Sequence, residues 1–198
     1  MERKAPRDHG IAETLAFRDA RAFDAWLARN HHNPNGVWLK LARKSSGVPS
    51  LTADEAVDVG LCWGWISGQR RALDQSWYLQ KYVPRRPGSA WSQVNVGKVR
   101  ALTRAGRMQE PGRAEVRAAK ADGRWAAAYA SQRDAEVPQD LAVALSRNRA
   151  AARHFLGLNR TGRYAVIVRL ARERSADRRS VLLRKLIARM AEEGSRKG

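Results

Sequence analysis

The sequence predicts an α+β fold, with a small antiparallel sheet and helices in the N-terminal half and a helical bundle in the C-terminal half. Apolar residues that alternate as in a β-strand are confined to the first half of the chain. From Ser89 onward, glycine and proline separate segments that have helical periodicity. Apolar residues make up 43% of the 198 residues and seven residues are tryptophan, which is enough for a hydrophobic core.

The first elements follow from local signals. Residues 1–14 are predicted to be a flexible tail, and Asp19 to cap a helix that runs to about Arg29. The turn signal at residues 33–36 then precedes a strand over residues 37–43, in which apolar side chains alternate.

A second helix and a hairpin complete the predicted α+β part. Thr52 and Glu55 form a capping box, which places a helix start at this point. Apolar residues at helical spacing extend this helix to near Gly68: Ala56, Val59, Trp63 and Ile66. Two strands with a turn at residues 74–76 follow, and the second strand covers residues 77–83.

The remaining chain is predicted to contain helices alone. Their predicted spans are 91–106, 111–122, 124–130, 138–147, 148–157, 161–173 and 176–192. The sequence therefore predicts an α+β core over residues 15–135. A basic helical region over residues 136–198 is expected to pack on that core.

The net charge of +19 is the most unusual bulk property. Residues 100–198 carry a net charge of +13, against +6 for residues 1–99. On the last helix, Arg178, Lys185 and Arg189 form a basic stripe, and Arg169 and Arg172 precede it. Charge without a binding motif favours a solvated basic face, and sequence-nonspecific binding to nucleic acid is the alternative.

The compartment is predicted to be the cytoplasm. No stretch approaches the roughly 20 apolar residues that span a bilayer, so no transmembrane segment is predicted. The first ten residues carry charges without a following apolar region, which argues against a secretory signal. Cys62, the single cysteine, is expected to be buried and inert.

The segment Pro84–Ser89, which leads into the helix at Trp91, is a candidate anion-binding loop. Arg85 and Arg86 offer guanidinium donors, and helix N-termini attract anions. Ser89, Ser92 and Asn95 add hydrogen-bonding groups to this candidate site. The alternative is structural: Ser89 caps the helix, the prolines fix the loop, and the arginines pair with Asp74 or face solvent.

Aromatic residues could complete a pocket beside this loop, namely Trp63, Trp65 and Tyr78. The sequence favours core packing for both indoles, since aromatic side chains dominate cores. It contains no catalytic motif of the common hydrolases, P-loop proteins or dinucleotide-binding enzymes, and its histidines lack metal-ligand spacing. No catalytic residue, metal or cofactor is predicted.

Two segments carry a family resemblance. Residues 58–68 read DVGLCWGWISG, and residues 82–95 read YVPRRPGSAWSQVN. With Gly123-Arg124-Trp125 and Val137-Pro138 further along, the chain closely resembles the YdeI/OmpD-associated (OmdA) family of bacterial proteins over roughly residues 15–190. Ser67 is a departure, because such proteins usually carry Asp at this position.

The resemblance implies a stress protein that protects bacteria against bacteriocins and cationic peptides, with no catalysed reaction. A non-enzymatic function with a small-anion or protein partner is therefore the leading hypothesis. Two alternatives stay open. One is a nonspecific nucleic-acid-binding protein, and the other is an enzyme with a pocket lined by the tryptophan and arginine residues named above.

Overall fold

The computed structural model describes residues 13–196, and the chain divides into two compact units. The first unit runs to Ser89 and includes Asn95–Ala126, while the second consists of Ala90–Val94 and the chain from Ala127 onward. The tail predicted over residues 1–14 lies outside the described residues, except for its last two. Both of these join the sheet: the Glu13 carbonyl accepts a hydrogen bond from the Trp38 N–H, and Thr14 pairs with Trp38.

The first unit combines a sheet with helices. Its strands are β1 (Thr14–Leu15), β2 (Val37–Ala42), β3 (Trp65–Ala72) and β4 (Trp77–Pro84). Its helices are α1 (Ala20–Asn30), α2 (Ala53–Cys62), α3 (Gln93–Arg104) and α4 (Glu110–Ala121). The first two residues of α3 are grouped with the second unit.

The sheet has the strand order β1-β2-β4-β3. Strand β4 is antiparallel to both β2 and β3, as the hairpin pattern predicts, while β1 adds a short parallel strand that was not predicted. Alternation along β2 buries Val37, Leu39 and Leu41 on one face. Helices α1 and α2 contribute to the core on that face through Phe23, Leu27, Ala56 and Val59.

The two predicted helix caps are confirmed. Asp19 accepts a hydrogen bond from the Ala22 N–H at 2.8 Å, which satisfies one of the unpaired amides at the start of α1. Thr52 and Glu55 make both bonds of the capping box at the start of α2.

The end of α2 was predicted wrongly. The helix ends at Cys62 and does not continue to Gly68, because Gly64 adopts a left-handed conformation with φ of +74° just after Trp63. A glycine in this conformation terminates helices, and its N–H donates here to the Leu61 carbonyl. Trp65 therefore starts β3, and the two tryptophans do not share a helix.

Helix α4 approaches this helix end very closely. The Gln109 N–H donates to the Cys62 carbonyl at 3.1 Å, just before α4 begins. A Cβ atom added to Gly112 would lie 2.2 Å from the same carbonyl oxygen. The backbones of α2 and α4 thus meet at a point where only glycine fits.

In its described residues, the second unit contains four helices: α5 (Gln139–Ser146), α6 (Arg149–Gly157), α7 (Arg160–Ala171) and α8 (Ala176–Ser195). Each contributes to one core, formed by Leu141, Leu145, Ala151, Phe155, Ile167, Leu170, Leu186 and Met190. Arg179 on α8 donates two hydrogen bonds to the Asp140 carboxylate on α5, at 2.7 and 2.9 Å. This bidentate ion pair joins the first and last helices of the unit.

The helix predicted over residues 124–130 is not formed. Within the second unit, the Tyr129 N–H donates to the Trp91 carbonyl, and the Tyr129 carbonyl accepts from the Gln93 N–H. These bonds to a distant segment hold the backbone at Tyr129 in a parallel bridge with Ser92. Alanine-rich composition favoured a helix here, but tertiary pairing overrides that propensity.

Gly112→Ala tests the close approach of the α2 and α4 backbones in the first unit. The added methyl group would overlap the Cys62 carbonyl, so we expect a loss of about 1–3 kcal/mol in unfolding free energy. Gly97→Ala on α3 is the matched control, because nothing lies within 4 Å of its added Cβ. Urea denaturation of both variants is the measurement, and equal stabilities would contradict the close approach.

The Asp140–Arg179 pair predicts a pH dependence of stability. The hydrogen bonds from Arg179 lower the pKa of Asp140. A lowered folded-state pKa contributes stability that is fully present above the unfolded-state pKa of about 3.9 and lost as the pH falls through the folded value. We therefore expect the stability difference between wild type and Asp140→Asn to shrink as the pH falls below about 4.

Urea denaturation across this pH range measures the difference. Glu136→Gln, which changes an exposed carboxylate in the same unit, serves as the control. A stability difference for Asp140→Asn that stays constant down to the lowest pH would show that the pair does not contribute as described.

Candidate functional site

A groove of about 770 Å³ opens in the first unit, where β2 ends and α2 begins. The hairpin strands supply its opposite wall through Arg70, Ala72 and Tyr78. Its remaining lining residues are Ala42, Arg43, Lys44, Gly47, Val48, Ser50, Thr52, Ala53 and Asp54. A volume of this order is typical of sites that bind small molecules.

The charged residues of the groove are mainly basic. Arg70 lies with its guanidinium carbon 4.5 Å from the centre of the Tyr78 ring, and its Nε donates to the Gln80 side chain at 2.9 Å. The Nε of Arg43 donates to the Asp74 carbonyl at 3.1 Å. The one lining carboxylate, Asp54, forms an ion pair with Lys98 at 2.8 Å.

The capping box of Thr52 and Glu55 already supplies hydrogen-bond acceptors at the start of α2. Glu55 accepts hydrogen bonds from the backbone and the hydroxyl of Thr52, and these bonds lower the pKa of Glu55. The positive end of the helix is thus offset by an internal carboxylate. The groove's capacity to attract an anion therefore depends on Arg43, Lys44 and Arg70, beside apolar surface from Val48 and the alanines.

The predicted anion-binding loop is arranged differently from the prediction. Arg85 is buried, with 5% of its surface exposed, whereas its neighbour Arg86 is exposed. The Ser89 hydroxyl accepts a hydrogen bond from the Arg86 N–H at 3.1 Å, and the Ser89 N–H donates to the Arg86 carbonyl. The two guanidinium groups lie in different environments, and the loop bonds to itself, so convergence of both arginines on one anion gains no support.

Arg124 is a buried arginine whose contact with the predicted loop sequence reasoning missed. It is 4% exposed, it pairs with Asp122 at 2.7 Å, and its Nη1 donates to the Ser89 carbonyl at 2.9 Å. This buried arginine thereby fixes the end of the predicted loop. No local sequence signal links residues that are 35 positions apart.

The two tryptophans support the core. The Trp65 indole is 1% exposed, and its Nε1 donates to the His31 carbonyl at 2.8 Å. Trp63 is half-buried, donates to the Asp24 carboxylate at 2.8 Å and stacks on the His31 ring. Trp65 lies in the core and Trp63 packs against it, as the sequence favoured for both indoles.

The other predicted ligand-binding residues are divided between the two units. Tyr78 lines the groove, and Asn95 is half-buried on α3. Trp91 is buried in the second unit, where Ser92 forms the bridge with Tyr129. The predicted set thus does not form a single pocket within either unit.

The predicted basic stripe on α8 is exposed but partly neutralised. Arg178 pairs with Glu173 at 3.3 Å, and Arg189 pairs with Glu193 at 2.9 Å. Arg172 stacks on the Tyr129 ring and donates to its hydroxyl. Lys185 and Arg169 are exposed. The stripe therefore presents less unbalanced charge than its sequence suggests.

Residues 13–196 contain neither a cluster of metal ligands nor a helix suited to cross a membrane. Within that range, no three His, Cys, Asp or Glu side chains cluster as a metal site would require. None of the helices in the same range combines the length and the apolar character of a membrane-spanning segment.

Comparison with known families gives matches in both halves of the chain. Residues 15–115 match the family described as Domain of unknown function (DUF8412). Residues 134–193 match the family described as Bacteriocin-protection, YdeI or OmpD-Associated, which confirms the resemblance over that segment. The motifs at residues 58–95 lie within the first match instead. No curated protein and no solved structure matches the chain.

The environment of Cys62 predicts an unreactive thiol. The side chain is 2% exposed, and burial raises its pKa to about 11. Because the thiolate is the reactive form, we expect alkylation at pH 8 on the order of 100-fold slower than for an exposed cysteine. Leu73→Cys in a Cys62→Ala background places a thiol at an exposed hairpin position for comparison. Similar rates in the two proteins would contradict this environment.

Proposed function

Because the chain belongs to the family described as Domain of unknown function (DUF8412), a description that gives no activity, we infer its function from its second matched segment. We propose that this is a non-enzymatic bacterial stress protein that protects its cell against bacteriocins. The match to the bacteriocin-protection family over residues 134–193 carries the proposal.

The extent of that match supports the proposal. The matched segment includes all of α5, α6 and α7 and all but the last two residues of α8. It also includes both partners of the Asp140–Arg179 pair and every residue of the second core. The shared description therefore applies to a group of four helices with its own core, and not to an isolated motif.

The charge of the chain restricts the mechanism. Many bacteriocins are cationic, and a protein with a net charge of +19 repels a cationic peptide. Direct capture of such a peptide by charge is thus unfavourable. We propose that protection proceeds through an anionic partner in the cytoplasm, the compartment that the single cysteine favours.

The groove of the first unit is the proposed binding site for this partner. Arg43, Lys44 and Arg70 supply positive charge, and the Tyr78 ring and Val48 supply apolar surface. A small anion with an apolar body fits this combination, since its charged group binds the guanidinium groups and its body covers the apolar lining.

Survival of a bacterial strain that produces the full chain tests the proposal. We expect such cells to survive a cationic bacteriocin at concentrations that kill cells with an empty vector. Gly194→Ala should abolish protection, because its added Cβ would lie 2.2 Å from the Ala150 carbonyl oxygen and disrupt the contact between α6 and α8. Gly157→Ala is the matched control, with nothing within 4 Å of its added Cβ.

The same assay tests the groove separately. The double variant Arg43→Gln with Arg70→Gln should lose protection, whereas Arg147→Gln with Arg149→Gln, which removes the same charge outside the groove, should retain it. Loss in both double variants would show that bulk charge alone is responsible. Unchanged sensitivity in cells that contain folded wild-type protein would refute the proposed function.

A further inference from the structure

The outer face of the sheet, which lies opposite α1 and α2, carries tryptophan and basic side chains together. Residues that pair directly across β2 and β4 share a face, so Trp38 lies beside Lys81 and Lys40 beside Leu79. Trp77 lies at the end of the same face, opposite Ala42, and Arg71 on β3 pairs with Leu79. The aliphatic core residues of β2 all point to the other side.

The cations of this outer face contact the faces of the rings. The Arg71 guanidinium carbon lies 4.5 Å from the Trp38 ring centre, and Lys81 Nζ lies 5.5 Å from the same ring. Lys40 Nζ lies 4.6 Å from the Trp77 ring centre. Both tryptophans and both lysines are half-buried, while Arg71 is exposed.

This cluster brings three basic side chains together on one face of the sheet. Over residues 13–196, Lys40, Arg71 and Lys81 form no ion pair with an acidic side chain. Burial, and to a lesser extent repulsion from the nearby Arg71 guanidinium, lowers the pKa of Lys81. An anion placed between them would relieve this repulsion.

We propose that this outer face binds single-stranded nucleic acid. Phosphates contact Lys40, Arg71 and Lys81, while bases stack on the Trp38 and Trp77 rings or on the Arg71 guanidinium plane. Aromatic side chains flanked by cations on a sheet are the combination that single strands require, because stacking and phosphate contacts occur together.

The spacing of the rings agrees with this ligand. Trp77 lies opposite Ala42, four residues along the sheet from Trp38, a distance of about 13 Å at the usual rise per strand residue. The two rings can therefore accept two separate bases of one strand. A duplex offers few base faces to stack on, and an acidic peptide offers charge without stacking, so the proposal predicts a preference for single strands over both.

The inference does not depend on the proposed protective function. It also differs from the basic stripe on α8, where Glu173 and Glu193 neutralise two of the three cations. The two surfaces can thus be compared directly, since each offers three basic residues for substitution. That comparison distinguishes binding of nucleic acid to the outer face of the sheet from the general attraction of nucleic acid to a chain with a net charge of +19.

Binding of fluorescent oligouridylate to the full chain, followed by anisotropy at moderate salt, tests the proposal. The triple variant Lys40→Gln, Arg71→Gln, Lys81→Gln should weaken binding at least tenfold. The control triple variant Arg178→Gln, Lys185→Gln, Arg189→Gln loses the same charge and should weaken binding much less. Equal losses in the two triple variants would overturn the assignment to the sheet.

Substitution of one ring tests stacking independently of charge. Trp38→Leu should weaken oligouridylate binding about tenfold, whereas Trp38→Phe should retain most of the affinity. Thermal melting verifies that each variant is folded, and the Phe variant keeps the test informative if the Leu variant unfolds. Equal affinity for oligouridylate, a polyglutamate peptide and anionic lipid vesicles would overturn the proposal. A surface that attracts every polyanion by charge alone would then account for the binding.

Discussion

The first unit depends on the two-residue connection between α2 and β3, at Trp63 and Gly64. The left-handed conformation of Gly64 ends the helix and reverses the chain into the sheet. The carbonyl groups around this reversal are used by distant segments: that of Cys62 accepts from Gln109, and that of Gly64 accepts from Arg85 at 3.0 Å. Helix α4, the end of β4 and the start of the loop after it are therefore all fixed by one turn. A different conformation at Gly64 would leave two carbonyls without their observed donors and separate the backbones that meet at Gly112.

The helix starts were predictable from the sequence, whereas the end of α2 at this turn was not. The caps at Asp19 and Thr52 were predictable because each involves residues three positions apart, so the signal is local. The end of α2 was missed because Trp63 and Ile66 continue the helical spacing beyond Gly64, the residue whose left-handed conformation ends the helix. The absence of a helix at residues 124–130 could not be predicted, since it follows from pairing with residues more than 30 positions away. Local signals thus predicted where the helices start, whereas pairing with a distant segment determined the backbone at residues 124–130.

The same distinction applies to the candidate site. Sequence reasoning grouped Arg85, Arg86 and Ser89 because they are adjacent, and adjacency does not place side chains in one environment. In the structure, one arginine is buried and its neighbour is exposed. The groove instead brings together Arg43 and Arg70, which are far apart in the sequence and become neighbours only through the pairing of β2, β4 and β3. Of the residues predicted to bind a ligand, Tyr78 alone lines this groove. The groove could not be predicted because the sequence of a single strand does not show which residues of the other strands lie beside it.

The distribution of charge shows why a count of basic residues is a poor guide to where an anion binds. The second half of the chain carries the larger excess, yet Arg178, Arg179 and Arg189 all pair with carboxylates of their own unit. A paired cation gains less from a phosphate, because an existing ion pair must be weakened first. Lys40, Arg71 and Lys81 have no such acidic partner in the described part of the chain, and the two lysines are half-buried beside the tryptophan rings. A phosphate that binds there displaces water and relieves repulsion without breaking an ion pair. The half of the protein with the smaller net charge can therefore hold the surface with the stronger attraction for a polyanion.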